Sequence, residues 1–160
     1  MVNSRNKGSA YERDVKNRLM DSLGLEFSRV FSQWAEAGLP DLVCDDDAFP
    51  FVVECKRYKT GSTFASPHHW DQVCAAATKA GKIPALVYKY DRLPERWRVP
   101  IEALTMLATF ERQPGDGYDW KYAVEMTFDD FCMVARELMC DECSGDDGGT
   151  VQAVSSKETR

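Results

Sequence analysis

A glutamate and a lysine lie two positions apart in a stretch of the sequence that is typical of a β-strand. Residues 51–56 are rich in β-branched and aromatic side chains and follow Pro50, which favours a strand that begins there. Side chains alternate between the two faces of a strand, so Glu54 and Lys56 are predicted to share one face. An acidic and a basic group are therefore expected side by side.

Asp41 is predicted to lie beside Glu54 and to share a divalent cation with it. Residues 40–44 are predicted to form a second short strand, and the polar turn at residues 45–48 allows the two strands to pair antiparallel. Two unpaired carboxylates on a mostly apolar hairpin are energetically unfavourable. A hard divalent cation, which prefers oxygen ligands, would stabilise them. The spacing therefore indicates a metal centre at Asp41 and Glu54.

The order of these and neighbouring residues resembles the PD-(D/E)xK nuclease family. Pro40 and Asp41 match its first motif, and Glu54, Cys55 and Lys56 match its second. An acidic residue on an upstream helix and a glutamine on a downstream helix complete an order similar to that of the Holliday-junction resolvase branch, including phage-encoded members. These two residues are Glu12 and Gln72, and the resemblance covers roughly residues 5 to 100.

The resemblance implies a divalent-metal-dependent DNA endonuclease. Mg²⁺, with Mn²⁺ as a substitute, is expected to be held by Asp41, Glu54 and the Cys55 carbonyl, with Glu12 nearby. Such a cation lowers the pKa of a bound water and stabilises the charge that builds on the phosphate. Lys56 is expected to orient that water or to neutralise the phosphate.

The resemblance also implies a substrate and an assembly. The expected substrate is branched DNA, in particular a four-way junction, cut symmetrically by a homodimer. A restriction-type, repair-type or linear-end nuclease without junction preference is an alternative, because fold does not determine function. A catalytically silent DNA-binding module is a further alternative, which the intact motif disfavours. Four aromatic residues are candidates either for the dimer interface or for the core: Phe64, Trp70, Trp97 and Trp120.

The pattern as a whole predicts an α/β fold with a restriction-endonuclease-like core, in which helices flank a central mixed β-sheet. Residues 83–90 form a near-continuous apolar run that suits a central strand buried on both faces. Ser66 and Pro67 are typical of the start of a helix. Residues 120–126 alternate as an edge strand does, and Thr127 is predicted to cap the last helix.

Glu12 and Gln72 each have two interpretations. Ser9 and Glu12 have the spacing of a capping box, in which Ser9 begins the first helix and Glu12 bonds the Ser9 backbone. The resemblance instead implies that Glu12 reaches the metal site, directly or through water. Gln72 is either an ordinary solvent-facing glutamine or a residue that positions phosphate or water.

The net charge of −6 is concentrated away from the motif. Residues 1–100 carry 15 Lys and Arg against 13 Asp and Glu, whereas residues 101–160 carry 5 against 13. Basic residues near the motif can therefore meet DNA phosphates. The predicted DNA-binding residues are Arg5, Lys7, Arg13, Arg57 and Lys59.

The 160 residues predict a single nuclease domain over residues 1–143 and a disordered acidic tail over residues 144–160. No apolar run is long enough to span a bilayer, and the polar N-terminus does not resemble a signal peptide, so no membrane partner is expected. The six cysteines are expected to be reduced thiols. The expected location is the cytoplasm of a bacterial or phage-infected cell.

Other constellations are weaker. Cys140 and Cys143 have the spacing of zinc ligands, and His68 with His69 could complete a site. A single pair of this kind beside a predicted disordered acidic tail is a weak signal, and two adjacent histidines at the start of a helix point in different directions. No Ser or Cys has the setting of a catalytic nucleophile.

Overall fold

A computed structural model describes residues 4–30, 39–59, 65–105 and 122–142. The predicted tail and Cys143 lie outside these ranges. None of the described helices is both long and apolar enough to cross a bilayer. The described helices are α1 (Ser4–Leu23), α2 (Pro67–Ala80), α3 (Glu102–Thr105) and α4 (Phe128–Glu142). The described strands are β1 (Phe27–Arg29), β2 (Leu42–Cys44), β3 (Phe51–Tyr58), β4 (Ile83–Tyr90), β5 (Arg96–Pro100) and β6 (Ala123–Met126).

The six described strands form one mixed sheet in which they lie in chain order. β3 and β4 run parallel, from Phe51 opposite Ile83 to Tyr58 opposite Tyr90, and the other neighbouring pairs are antiparallel. Parallel neighbours need a crossover connection, which α2 provides. β4 is buried at every position except Lys89, so the predicted central strand is confirmed. Among the described strands β6 pairs only with β5, so it lies at the edge of this sheet, as predicted.

Alternation along β3 divides the core into two layers. Val53 and Cys55 belong to the layer that contains residues of α1 and α4, whereas Val52 belongs to the layer that contains residues of α2. Glu54 and Lys56 have the same parity as Val52, and Tyr58 packs against that same layer. The two charged residues therefore share the α2 face of the sheet, as the sequence predicts.

Two helix boundaries also agree with the predictions. α2 begins directly after Ser66 with Pro67 in its first turn, where the missing N–H of proline is not needed. Thr127 caps α4, because its Oγ1 accepts a hydrogen bond from the Asp130 N–H at 3.2 Å and its own N–H donates to Asp130 Oδ2 at 3.4 Å.

The predicted capping box is wrong. α1 begins at Ser4, so Ser9 and Glu12 lie inside the helix rather than at its start. Both side chains instead accept hydrogen bonds from Arg29 at the end of β1. A partner distant in the sequence satisfies these groups, and a local pattern cannot reveal such a partner.

Two of the four aromatic interface candidates belong to the core. Trp70 and Trp97 have no exposed surface, so neither can form a dimer interface in this fold. Trp97 stacks on Phe131 with ring centroids 4.1 Å apart, and Phe131 also packs on Phe51 at 4.9 Å. The other two candidates, Phe64 and Trp120, lie outside the described residues.

Phe131 is a fully buried residue of α4 that contacts two strands of the sheet, so its truncation should be severe. Phe131→Ala should lower the free energy of unfolding by about 3–5 kcal/mol, because it removes a buried ring and leaves a cavity. Met133→Ala, on the exposed side of the same helix, should change it by only about 0.5 kcal/mol. Denaturant melts of the two variants test this, and similar losses in both would contradict the assigned packing.

Candidate active site

The structure brings Asp41, Glu54 and Lys56 together. Leu42 of β2 lies opposite Val53 of β3, and this register places Asp41 next to Glu54. Lys56 Nζ is 2.5 Å from Glu54 Oε1 and 4.0 Å from Asp41 Oδ2. The three side chains that the sequence singles out therefore form one cluster.

A backbone N–H group also holds one of the carboxylates in place. The N–H of Cys55 donates to Asp41 Oδ2 at 2.9 Å. Asp41 is thus tied to the strand that carries Glu54 and Lys56. The pairing of β2 with β3 places the two carboxylate residues opposite each other.

Burial perturbs all three ionisable groups. Desolvation, followed by the negative charge of Asp41, raises the pKa of Glu54 from 4.5 to about 7. Desolvation also raises the pKa of Asp41, against the opposing effects of Lys56 and the Cys55 N–H. Burial by itself would lower the pKa of Lys56, but the two carboxylates raise it above its ordinary value. Lys56 therefore stays charged and stabilises the ionised carboxylates.

This donor set fits a hard divalent cation. The two carboxylates repel each other in a desolvated position, and one lysine leaves the ionised cluster with an excess negative charge. Within the described ranges, no three His, Cys, Asp or Glu side chains converge on one point. Asp41 and Glu54 are thus a two-carboxylate site, in which backbone oxygen, water or substrate oxygen would complete the coordination.

Arg29 holds Glu12 on the α1 side of the site. Arg29 donates to Glu12 Oε2 from Nη2 at 2.6 Å and from Nε at 3.2 Å, and its Nη2 also donates to Ser9 Oγ at 2.7 Å. The negative charge of Glu12 contributes to the raised pKa of Asp41. The Glu12 carboxylate itself is paired with Arg29.

Arg29 is the neighbour that sequence reasoning missed. In the sequence, Arg29 is only a single arginine on a short strand, β1. The buried Phe27 of that strand indicates a strand that packs on the core, but it says nothing about the partner of Arg29. Nothing in the local pattern links this position to α1, because the pairing spans the turn between helix and strand.

Cys55 and Gln72 contribute less directly. Desolvation raises the pKa of the Cys55 thiol well above its ordinary value, so the group stays protonated and only the Cys55 backbone faces the site chemistry. Gln72 is half-buried on α2. Among the described residues, no hydrogen bond joins its side chain to Asp41, Glu54 or Lys56.

A tyrosine and a histidine line the α2 side of the cluster. The Tyr58 hydroxyl and His69 Nδ1 are 2.6 Å apart, and the Tyr58 ring stacks on Tyr90 with centroids 4.5 Å apart. Burial, followed by the positive charge of Lys56, lowers the pKa of His69. His69 is thus a neutral, oriented imidazole near Lys56.

The predicted DNA-binding residues occupy different settings. Arg13 and Lys59 are exposed, whereas Lys7 and Arg57 both pair with Asp91. The side chain of Arg5 lies outside the described part of the structure. A groove of about 410 Å³ between α1 and β1 carries three cations near Glu12 and is lined by Arg13, Lys16, Asn17, Phe27, Ser28 and Arg29.

The raised pKa of Glu54 predicts a pH-dependent stability in metal-free solution. Between pH 4.5 and about 7 the folded chain keeps a proton that the unfolded chain has lost, so the contribution of Glu54 to stability falls as the pH rises through this window. Glu54→Gln cannot titrate. Its stability relative to the parent should rise by up to about 3 kcal/mol between about pH 5 and pH 8.

Denaturant melts of both proteins with EDTA measure this difference. Glu137→Gln, at an exposed position of α4, is the matched control and should differ from the parent equally at both pH values. A pH-independent difference for Glu54→Gln would show that Glu54 is ionised throughout.

A solved structure has a fold similar to that of this chain. The structure of Hjc from Archaeoglobus fulgidus, described as a Holliday junction resolvase from an archaeal hyperthermophile, is similar over 81% of this chain and 98% of that chain. The TM-score is 0.52 and the sequence identity is 20%, so this likeness shows the fold. No curated protein matches the sequence.

A family model covers most of the chain. The model "Phage putative PDDEXK endonuclease" matches residues 3–123, which include Asp41, Glu54 and Lys56. PD-(D/E)xK nucleases generally use divalent metals, in accord with the carboxylate pair. On the fold, the site and this match, the chain belongs to the family of phage PDDEXK endonucleases.

Proposed function

We propose that this nuclease is a Mg²⁺-dependent DNA endonuclease that resolves four-way junctions as a homodimer. The observation that carries the proposal is the convergence of Asp41, Glu54 and Lys56 on the β2–β3 hairpin. Metal-dependent hydrolysis of a phosphodiester uses carboxylates that hold a cation and a positive group near the phosphate, and this cluster has residues for both roles.

Asp41 and Glu54 would hold the cation, with the Cys55 carbonyl as a further oxygen ligand. Mn²⁺ should substitute, because it accepts the same oxygen ligands. When bound, such a cation acidifies a water and stabilises the charge that develops on the phosphate. The raised pKa values of both carboxylates mean that protons compete with the metal for this site.

Lys56 has a separate role in the proposal. Its ammonium already contacts Glu54 and faces Asp41, so a phosphate bound at the cation would also meet Lys56. A fixed positive charge at that point stabilises the transition state more than the ground state, because negative charge builds on the phosphate during attack. Lys56 would orient the water or neutralise this charge.

Glu12 and Gln72 are proposed as auxiliary residues. Glu12 would act on the metal side of Asp41 through water, with Arg29 setting its position. Gln72 would position phosphate or water from α2. Both assignments rest on the resemblance of their positions to the family pattern and on their placement on helices that flank the hairpin.

DNA would reach the cluster along basic surface. Arg13 borders the groove between α1 and β1, and Lys59 follows the strand that carries Glu54 and Lys56. Lys7 and Arg57 lie at the ends of α1 and β3. Together with Arg5, these residues would neutralise phosphates on either side of the scissile bond.

The junction substrate is proposed from the likeness to Hjc and from symmetry. A four-way junction has approximate twofold symmetry, and its resolution needs two opposed nicks. The chain has one Asp41–Glu54–Lys56 set, so paired cuts need two subunits or two visits. Twofold dimers are the commonest closed assembly.

Variants of the cluster test the chemistry. Asp41→Asn, Glu54→Gln and Lys56→Ala should each lower the cleavage rate about a hundredfold or more, because each removes a charge at the reacting phosphate. DNA binding should be largely kept. Asp47→Asn, an acid-to-amide change in the exposed turn after β2, is the control and should cut at the parent rate.

These rates come from single-turnover assays with Mg²⁺ on a four-way junction, read on denaturing gels. Mn²⁺ should restore activity to the EDTA-treated parent, and Ca²⁺ gives a further check of metal dependence. Parent-like cleavage by Asp41→Asn or Glu54→Gln would show that the site lies elsewhere.

Substrate choice and assembly are tested separately. The protein should cut a junction faster than matched linear or flapped DNA, and light scattering should give twice the chain mass at micromolar concentration. An extruded cruciform should be linearised without accumulation of nicked circle. A monomer that only nicks, or equal rates on all substrates, would leave a restriction-type or repair-type nuclease instead.

A further inference from the structure

One carboxylate holds two of the cations that the proposed function assigns to DNA. Lys7 Nζ lies 2.8 Å from Asp91 Oδ1 and 2.7 Å from Oδ2, and Arg57 Nη2 lies 2.5 Å from Oδ1. The side chains of Lys7 and Asp91 are each about one-third exposed. Solvent and an approaching anion can therefore reach this triad.

Backbone hydrogen bonds hold the turn that carries Asp91. The Asp91 N–H donates to the Tyr58 carbonyl at 3.2 Å, and the Leu93 N–H donates to the Tyr90 carbonyl at 3.3 Å. Arg92 closes this turn in the left-handed region, at φ +67°, which a non-glycine residue adopts only when its surroundings demand it. The backbone that carries the Asp91 carboxylate is thus held in one conformation.

The guanidinium of Arg57 is also held in a fixed orientation. Its Nη1 donates to the Lys89 carbonyl at 3.1 Å, which leaves Nη2 for Asp91. A guanidinium held in this way presents its planar donors to an oxyanion, whether carboxylate or phosphate.

The triad lies beside the active-site cluster. Arg57 follows Lys56 on β3 but has the opposite parity, so it faces the α1 side that carries Lys7. Arg57 lies three positions after Glu54 on β3, about 10 Å along the strand, which corresponds to about three nucleotides along a duplex axis. Asp91 directly follows β4, so the triad lies at the end of the sheet where β3 and β4 finish. A DNA strand that runs from the cluster past this end of the sheet would meet the triad.

We propose that Lys7 and Arg57 form a seat for a DNA backbone phosphate, and that Asp91 occupies this seat in the free protein. The phosphate takes over the donors of both cations when DNA binds. This inference rests on the proposed function and deepens it, because it makes Asp91 an internal competitor that weakens binding to any DNA phosphate backbone.

The rival explanation is a structural brace. Lys7, Arg57 and Asp91 join the start of α1 to the ends of β3 and β4, and such a brace would need no ligand. The two explanations predict opposite signs. Removing the carboxylate from an occupied seat tightens DNA binding, whereas removing a brace loosens the fold and weakens binding.

Asp91→Asn decides between them. Fluorescence anisotropy with EDTA, on a four-way junction and on a linear duplex, measures the affinity. Asp91→Asn should bind DNA about three- to tenfold more tightly than the parent. The fall of its affinity with salt concentration should be steeper by the equivalent of about one phosphate contact. Asp14→Asn is the matched control, since it removes an exposed carboxylate of α1 that pairs with Arg18 at 3.3 Å. It should change affinity less than about twofold.

A second substitution tests whether the higher DNA affinity of Asp91→Asn depends on Lys7. Lys7→Gln leaves the Arg57–Asp91 pair intact and should weaken DNA binding. In the double variant Lys7→Gln, Asp91→Asn, the DNA affinity should lie near that of the parent. The loss of the competing carboxylate raises the affinity, and the loss of one of the two cations lowers it. If Asp91→Asn melts at a lower temperature than the parent, its affinity is no longer a clean test, and Lys7→Gln alone tests the phosphate seat. Unchanged DNA binding by Lys7→Gln would overturn the seat.

The outcomes separate the two proposals. If the parent binds DNA and Asp91→Asn binds no more tightly at an unchanged melting temperature, the seat is wrong and the nuclease proposal stands. If the parent binds neither junction nor duplex, both fail. If Asp14→Asn gains as much DNA affinity as Asp91→Asn, the gain comes from the change in net charge alone. That result would also overturn the seat.

Discussion

The Glu54 carboxylate is almost completely buried on the face of β3 that α2 covers, and the site depends on how this charge is compensated. The ammonium of Lys56 compensates it directly, and Asp41 lies beside it as a second carboxylate. Both neighbours depend on β3: Lys56 follows two positions later on the same face, and Asp41 arrives through the pairing of β2 with β3. A shift of this register by one residue would turn the carboxylates to opposite faces. The register of β2 against β3 therefore determines both the burial of the carboxylates and whether they can act together.

The hairpin is also where the two layers of the core meet the site. Glu54 and Lys56 lie on the α2 face with Tyr58 and His69, whereas Glu12 and Arg29 lie on the α1 side of Asp41. The site on β2 and β3 thus has polar groups on both faces of the sheet. This arrangement lets a nuclease site keep charged residues within an otherwise apolar sheet.

Charge pairing beyond the cluster follows the same logic. Cations that could meet phosphate are held by carboxylates in the free chain, as Arg29 is by Glu12 and as Lys7 and Arg57 are by Asp91. An internal carboxylate keeps a cation oriented and can be exchanged for a phosphate at modest net cost, because the cation is paired before and after. The acidic overall charge of the chain is compatible with DNA binding on these terms.

The sequence by itself determined the strands, their faces and the three residues of the cluster, because these follow from local alternation and from a short motif. Pro67 and Thr127 likewise marked helix starts through backbone chemistry that is local. Only the tertiary structure decided that Arg29 satisfies Ser9 and Glu12 in place of a capping box, that Trp70 and Trp97 are core, and that Asp91 holds Lys7 and Arg57. Each of these depends on partners distant along the chain, and long side chains choose among such partners only once the sheet and helices have brought them within reach.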